Sequence, residues 1–591
     1  MKPIASVVLS VSVLFAPSFA GADPTEVALD SIGPRWFGPQ YLDNLGWDIE
    51  APGDINADGL DDFAVSSPQD IGPLTFDSVL RIYFGDEGGA PPSGSAGWED
   101  VRLTDGKVGT DAVFQFTFVP DVTGDGQKDL LVAEPKAAEA GKVLLYAGGA
   151  KSLSALSGAV DAVARWDGYL QTEFSQLAQE TRPSQVEGGD FDGDGLADLV
   201  IASEIFSALW VDYSDGGFSG DQSLADLGSP FRECEDEIPA AHFAEAIAVG
   251  DFNDDGFADL AASGSGCDAG MGRVFIWNGS ASGLPSAPSL ELSGGDRLGG
   301  GLEVLDLNAD GVDDLAVQEL LSSSEADPTA EGRGNLWVFV GGAAGLAETP
   351  TVRFMGGFVD QRFGESVAML SDVSSPPDGL DELVISSPEA AYKSVGQGAV
   401  YIFDGRSEWS GDVHVSEAHY RISGAHRDAW FGHSIAAMED FDGDGYPELI
   451  IGEPKFTEGE SENDHQRGRV YLFNALPDRD EDGDGSSTLG GDCDDRDPAI
   501  GPMVWEECDD GIDNNCDHQI DEGCDGKGDD DDDDDTPPPL GDDDDDGGCS
   551  CQESIVGEAG GPSRSFGLLC GVLGLALLRR RRPVRARELG F

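Results

Sequence analysis

Asp190-Phe-Asp192-Gly-Asp194-Gly195-Leu-Ala-Asp198 sets carboxylates at positions 1, 3, 5 and 9 of a short loop, with glycine at position 6. When the backbone curls, the side chains at positions 1, 3 and 5 converge, and the glycine takes a turn that a side chain would obstruct. Position 7 can lend a carbonyl oxygen, and position 9 closes the cage. Hard oxygen donors in that number, with no imidazole or thiolate, suit Ca²⁺ rather than zinc or copper. The same set recurs five times: Asp54, Asn56, Asp58 and Asp62; Asp121, Thr123, Asp125 and Asp129; Asp251, Asn253, Asp255 and Asp259; Asp306, Asn308, Asp310 and Asp314; and Asp440, Asp442, Asp444 and Glu448. A damaged copy surrounds Asp378-Gly379; it lacks acids at positions 1 and 3, although Asp372 is near. It is expected to keep the turn and to bind metal weakly or not at all.

A single Asp-Gly turn with solvated carboxylates is common and needs no acid at position 9. Six copies that hold the full spacing, at intervals of roughly 55 to 70 residues, mark one repeated structural unit instead. An EF-hand would end its loop on a glutamate at position 12 and flank it with amphipathic helices. Here the flanks are short and β-like: Phe63-Ala-Val-Ser, Leu130-Leu-Val-Ala, Leu199-Val-Ile-Ala, Leu383-Val-Ile-Ser and Leu449-Ile-Ile-Gly. Such apolar runs, bounded by Gly, Pro and Ser, read as buried strands.

Two further landmarks accompany each loop. Upstream stand Phe243-Ala-Glu-Ala, Leu298-Gly-Gly-Gly, Phe363-Gly-Glu-Ser and Phe431-Gly-His-Ser. Downstream comes another strand, as in Gly272-Arg-Val-Phe-Ile-Trp, Gly398-Ala-Val-Tyr-Ile-Phe and Gly468-Arg-Val-Tyr-Leu-Phe. Polar segments such as Thr351-Val-Arg-Phe and Tyr420-Arg-Ile-Ser supply a fourth strand. Four short strands per unit, seven times over, describe an all-β, seven-bladed β-propeller with Ca²⁺-binding loops.

Residues 41–475 resemble the FG-GAP repeats of integrin α-subunit propellers, with Phe-Gly-x-Ser, the acidic loop and Gly-x-Val-Tyr-x-Phe in the family's order. The resemblance implies that the metal loops join the first two strands of each blade, on the face opposite the main ligand-binding loops. The chain departs from it in carrying a metal loop in nearly every blade and in showing no inserted von Willebrand-type domain. The Phe-Gly elements of blades two and three are weak (Phe114-Gln-Phe and Phe174-Ser-Gln). Ring closure is expected to borrow a strand from the segment before Trp47.

The ends of the chain are of other kinds. Residues 1–22, with an apolar run from Ile4 to Phe15 and small residues at Ala20 and Ala22, read as a secretory signal peptide. The propeller is assigned to 23–476. Residues 477–524 form an acidic, disulfide-rich module that opens with a further metal loop, its ligands Asp480, Asp482 and Asp484. The module carries Cys493, Cys508, Cys516 and Cys524, whose pairing is open. It resembles small Asp-Cys-Asp-Asp metal-binding repeats of bacterial surface proteins. Some of those are copper-binding; only His518 favours copper here, so Ca²⁺ is expected. Residues 525–548, with two Asp runs about Thr536-Pro-Pro-Pro539, are expected to be a disordered spacer. In 549–591, Cys549-Ser-Cys551, the apolar run Phe566–Leu578 and Arg579-Arg-Arg-Arg582 resemble the MYXO-CTERM sorting signal of myxobacteria-type Gram-negative bacteria. That implies export and display at the cell surface, with contact to the membrane only through this segment; a retained anchor is the alternative.

The net charge of −80 excludes nucleic acid and anionic membrane as default partners. Cys234 and Cys267 are the cysteine pair within the propeller and suit an oxidising compartment. No Gly-x-Ser-x-Gly, His-Glu-x-x-His or phosphate loop is present, and His426, His433 and His465 read as surface or structural residues. No catalytic residue is assigned and the chain is not expected to be an enzyme. Trp98, Trp277 and Trp337 sit in strand contexts and read as core. The expected function is a calcium-stabilised adhesion or ligand-binding propeller at the cell surface, with an extracellular protein or glycan as ligand. The alternative is a secreted carbohydrate-active enzyme or lectin on the same scaffold.

Overall fold

The computed structural model describes residues 24–473 apart from connecting segments, together with Ile500 and Asn514. The main gaps are 28–34, 39–42, 71–75, 87–93, 96–100, 105–114, 135–140, 154–160, 172–178, 181–184, 235–241, 321–333, 358–361, 374–378 and 458–466; shorter ones include Asp444. The expected ligands Asp480, Asp482 and Asp484 lie outside the described residues, as do the leader, the four module cysteines, the Asp-rich spacer and the C-terminal segment. No helix among the described residues is long and apolar enough to cross a membrane.

Seven antiparallel sheets follow one another along the chain. Blade four shows the plan: Phe243–Gly250, Asp259–Gly264, Arg273–Trp277 and Leu290–Ser293 pair in sequence order. The acidic loop always joins the first strand to the second. In blade seven, Ile435–Met438, Glu448–Glu453 and Arg469–Phe473 come from the C-terminal end, and the fourth strand is Arg35–Phe37 from the N-terminal end. Trp36 pairs with Val470 there, so one sheet holds both ends of the propeller. The borrowed strand thus lies where the closing rule of the ring required it.

Hydrophobic packing lies between blades. Each of the seven buried clusters draws on two neighbours; Ile422 and Val400 of blade six, for example, pack with Ile451 and Tyr471 of blade seven. A blade without its neighbours would leave both faces wet, so the ring gains its stability collectively. Blades two, five, six and seven also receive a fifth, parallel outer strand: Gly220–Ser223, Gly411–His414, Thr25–Val27 and Gly94–Ser95. The Cys234–Cys267 disulfide ties the chain after blade three to the hairpin between the second and third strands of blade four.

The two glycine motifs explain each other. The Phe431 side chain is fully buried, and Gly432 after it has φ 83°, the left-handed region open mainly to glycine. Phe431 pairs in parallel with Gly398, the glycine that opens the third strand of the preceding blade. A Cβ at Gly398 would lie 2.0 Å from the Phe431 carbonyl oxygen. Gly272 meets Leu298, and Gly468 meets Leu45, in the same way. "Phe-Gly" and "Gly-x-Val" are therefore two halves of one inter-blade contact.

A buried ion pair completes the seam. Arg81 and Asp43 are both fully shielded, with Arg81 Nη2 3.1 Å from Asp43 Oδ2, and Ser67 Oγ accepts from Arg81 Nη1. Asp43→Ala strands a buried guanidinium and should cost about 3–5 kcal/mol, read as a shift of the denaturant midpoint. Gly195 lies in the left-handed region but has open space around a Cβ. Gly195→Ala should therefore cost about 1–2 kcal/mol, and Gly398→Ala distinctly more, in the same measurement; equal costs would show that the inter-blade contact yields freely.

Candidate metal centres

The acidic loops share one construction. The position-1 carboxylate turns inward and accepts the amides that follow: Asp54 Oδ1 from Ala57 at 2.6 Å, Asp54 Oδ2 from Gly59 at 2.8 Å. Asp121, Asp190, Asp251 and Asp306 repeat the bond to the position-6 glycine. That glycine always has positive φ, as at Gly195 with 93°. Position 5 bends back on its own turn, as Asp194 Oδ1 accepts from Leu196 N at 2.8 Å. Asp58, Asp125, Asp255 and Asp310 do likewise.

Position 9 is different. Asp62, Asp129, Asp198, Asp259, Asp314 and Glu448 have no exposed surface. In the aspartates one oxygen accepts from the position-2 amide, as Asp198 Oδ2 from Phe191 N at 3.1 Å; the other accepts from the end of the third strand, as Asp198 Oδ1 from Ser214 N at 2.8 Å. Asp62, Asp129, Asp259 and Asp314 reach Gly85, Gly148, Gly279 and Gly341 in the same manner. Position 9 therefore clamps the loop to its blade as well as facing the cage.

In two loops the acids at positions 1, 3 and 9 converge. Ligand atoms of Asp190, Asp192 and Asp198, and of Asp440, Asp442 and Glu448, lie within 4.8 Å of one another. Elsewhere position 3 is Asn56, Thr123, Asn253 or Asn308. Asn56, Thr123 and Asn253 donate to the position-9 carboxylate, and Asn308 donates to Asp310 at position 5. The donor set fits a hard cation: all donors are oxygens, one is buried, and carboxylates crowd together with no basic side chain among them. Asp444 lies outside the described residues, and so does the whole set expected at Asp480, Asp482 and Asp484. In the damaged copy, Asp372 accepts from Gly379 N and Glu382 from Val373 N, so Asp372 fills position 1 in a loop two residues longer than the others.

The sequence reading missed positions 2 and 8. Position 2 is always apolar and buried: Ile55, Val122, Phe191, Phe252, Leu307 and Phe441. Position 8 reaches the neighbouring loop. The Ala197 amide donates to Asp121 O at 3.1 Å, Ala258 to Asp190 O at 2.9 Å, and Asp61 to Asp440 O at 2.8 Å. Between blades four and five the bond reverses, with Asp251 N donating to Asp313 Oδ2 at 2.7 Å. At these four of the seven junctions the bonds link neighbouring metal loops into a belt along one rim.

Burial raises the pKa values of the position-9 aspartates, with nearby carboxylates adding and backbone amides opposing. Asp62 and Asp259 rise to about 7, Asp198 and Asp314 to about 6. A second acidic set lines the central channel, a chamber of about 510 Å³ walled by the first strands. Asp48 rises there to about 6, Glu303 to about 7 and Glu187 to about 8, and Glu50 well above its usual value. Glu303 keeps contact with water in the channel; desolvation by the surrounding strands, with the Asp48 charge adding, sets the direction. A carboxyl with a raised folded-state pKa stabilises the fold below its unfolded pKa and loses that contribution as pH rises through the folded value. In chelator, the melting temperature should fall between about pH 5 and pH 8; added metal should oppose the fall. A chelated protein whose stability rises over that window would contradict the burial of these acids.

Comparisons with known proteins agree with this architecture. A model of the FG-GAP repeat matches residues 431–473, one of an FG-GAP-like repeat matches 251–317, and a metal-binding-motif model matches 492–522 and 518–530. Integrin alpha-5 of Xenopus laevis is 27% identical over 296 residues, 48% of this chain and 26% of that protein. Integrin alpha-4 of the same species is 29% identical over 164 residues, 27% of this chain and 14% of that protein. Phosphatidylinositol-glycan-specific phospholipase D of Rattus norvegicus is 28% identical over 279 residues, 42% of this chain and 32% of that protein. The chain spans a third or less of the length of these relatives. Closed ring, paired Phe-Gly contacts and acidic loops together make it an FG-GAP-repeat β-propeller of the integrin-α-like kind.

Proposed function

We propose that this protein is a calcium-stabilised propeller, displayed outside the cell, that binds an extracellular protein or glycan through the rim opposite its metal loops. The belt of acidic loops carries the reading. It commits one rim to holding the ring together and leaves the other rim, with its 4-to-1 and 2-to-3 connections, for recognition. Calcium is favoured over softer metals because every donor is an oxygen and the loops lack imidazole and thiolate. Export is supported by the leader-like residues 1–22, the Cys234–Cys267 bridge and the likeness to integrin α chains. Surface retention through residues 549–591, and calcium held by Asp480, Asp482 and Asp484, belong to the same proposal.

The metals act as structural ligands. At free calcium about 100-fold above Kd, one site contributes about 2.7 kcal/mol, so several sites together rival the whole stability of an ordinary domain. EDTA should lower the melting temperature steeply and calcium should restore it, whereas a propeller indifferent to chelation would sink the calcium reading. A second reading, a carbohydrate- or lipid-anchor-processing enzyme or a lectin, is favoured by the likeness to a phospholipase D. A glycan and surface-protein array probed with the purified chain, with and without calcium, separates the two. Calcium-dependent capture without turnover supports binding, and release of a cleaved product supports catalysis.

A further inference from the structure

Neighbouring metal loops meet through pairs of consecutive amides. In blade four the Gly279 amide donates at 2.8 Å to Asp259 Oδ1, the position-9 carboxylate of its own loop. The next amide, Ser280 N, donates at 3.0 Å to Phe191 O, at position 2 of the blade-three loop. Blade five repeats this: Gly341 N reaches Asp314 Oδ1 at 2.8 Å, and Gly342 N reaches Phe252 O at 3.1 Å. So does blade one, against blade seven: Gly85 N reaches Asp62 Oδ1 at 3.0 Å, and Asp86 N reaches Phe441 O at 3.1 Å. Each dipeptide thus holds two metal loops at once, by position 9 of one and position 2 of the other. Between blades one and two the pattern stops. Gly148 N reaches Asp129 Oδ1, but among the described residues Gly149 N makes no bond to Ile55 O.

These three junctions have no slack. A Cβ at Gly279 would lie 2.2 Å from Ala258 O and 3.1 Å from Phe191 O, and one at Gly341 2.2 Å from Asp313 O and 3.0 Å from Phe252 O. The position-2 side chains are gripped as well. Phe191, Phe252 and Phe441 are buried in clusters with Trp277 of blade four, Phe339 of blade five and Tyr83 of blade one, respectively. Positions 1 and 3, on either side of that residue, are cage donors. Whatever draws them together therefore also sets the peptide that the next blade holds. Interiors this closely packed pass such a shift on instead of absorbing it.

We propose that metal binding is cooperative along two arcs of the ring, with these dipeptides as the couplers. One arc runs through the loops of blades three, four and five; the other joins blade seven to blade one. The inference rests on the calcium reading above and names the regulation of those sites. With the blade-three loop empty, Asp190, Asp192 and Asp198 repel one another, and the Phe191 carbonyl loses the position from which it meets Ser280 N. Gly279, the residue before, then clamps Asp259 less well, and the blade-four loop closes less readily on a cation of its own. Filling the blade-three loop reverses each step. Coupling of this kind runs equally in both directions. Each arc then answers calcium over a narrow range of concentration, and the two arcs answer separately.

The test follows amide hydrogen exchange of each loop by mass spectrometry in the full chain at graded free calcium, with the midpoint of protection as the readout. Asp192→Asn combined with Asp194→Asn removes two charges from the blade-three loop and keeps the acceptors for Asp194 N and Leu196 N. It should raise the midpoint of the loop at Asp251 at least about fivefold, move the loop at Asp306 in the same direction, and leave the loop at Asp54 unmoved. Asp58→Asn should raise the midpoint of the loop at Asp440 and leave those at Asp251 and Asp306. Should the double variant fail to fold in saturating calcium, Asp255→Asn tests the same coupling in reverse by raising the midpoint of the loop at Asp190. Loops that titrate independently of their neighbours, or a shift shared by every loop in the ring, would overturn the proposal and leave the calcium reading standing. A parent chain whose loops show no response to calcium would remove both.

Discussion

Everything in this propeller depends on a carboxylate held away from water between two amides and a cage of other acids. At Asp198 the side chain bridges the loop amide of Phe191 and the third-strand amide of Ser214, so the loop cannot move without disturbing the sheet. Its burial is tolerable because the amides satisfy it, and its charge is tolerable only when something positive enters the cage. The belt bonds from Ala197 and Ala258 then tie the loops of blades two, three and four to one another. Local metal affinity and global ring geometry are one mechanical problem here.

That coupling explains why the acidic loops are so uniform while the opposite rim is not. A loop that must fit both neighbours has little freedom at positions 1, 6 and 9. Asp372, serving a loop with two extra residues, shows how much irregularity the scaffold absorbs while its two anchoring bonds survive. The connections on the other rim carry no such obligation. There the chain accumulates Trp430 in a left-handed backbone, a neutral buried His433 and a Lys455 ammonium over the Trp430 ring. Such irregularities persist where surrounding structure over-determines them, and they mark the places where an otherwise repetitive molecule becomes specific.

Much of this was legible from residues alone because the repeat samples the same physics seven times. Loop, second strand and third strand follow from spacing, and the blade order follows from them. Trp277 and Trp337 are core residues, as their strand contexts indicate. What escaped are relations between distant residues. Gly398 looks like a turn glycine until Phe431 is seen against it, and Phe191 looks like filler until its amide is seen on Asp198. Asp43 and Arg81 stand far apart in the chain and carry no pattern that pairs them. The parallel outer strands, at Gly411–His414 and elsewhere, are short polar segments without periodicity, so only the sheet they join reveals them.

The shared sheet of blade seven has a consequence for biogenesis. Arg35–Phe37 leaves any ribosome or export channel early, yet its partner Arg469–Phe473 arrives last among the blade strands. During synthesis the opening strand must wait, unsatisfied, while more than four hundred residues follow it. Early blades can collapse side by side, but the wheel cannot lock until its two extremities meet, and truncation from either end removes the same latch. Closure of the ring is therefore a late step that waits for the final strand.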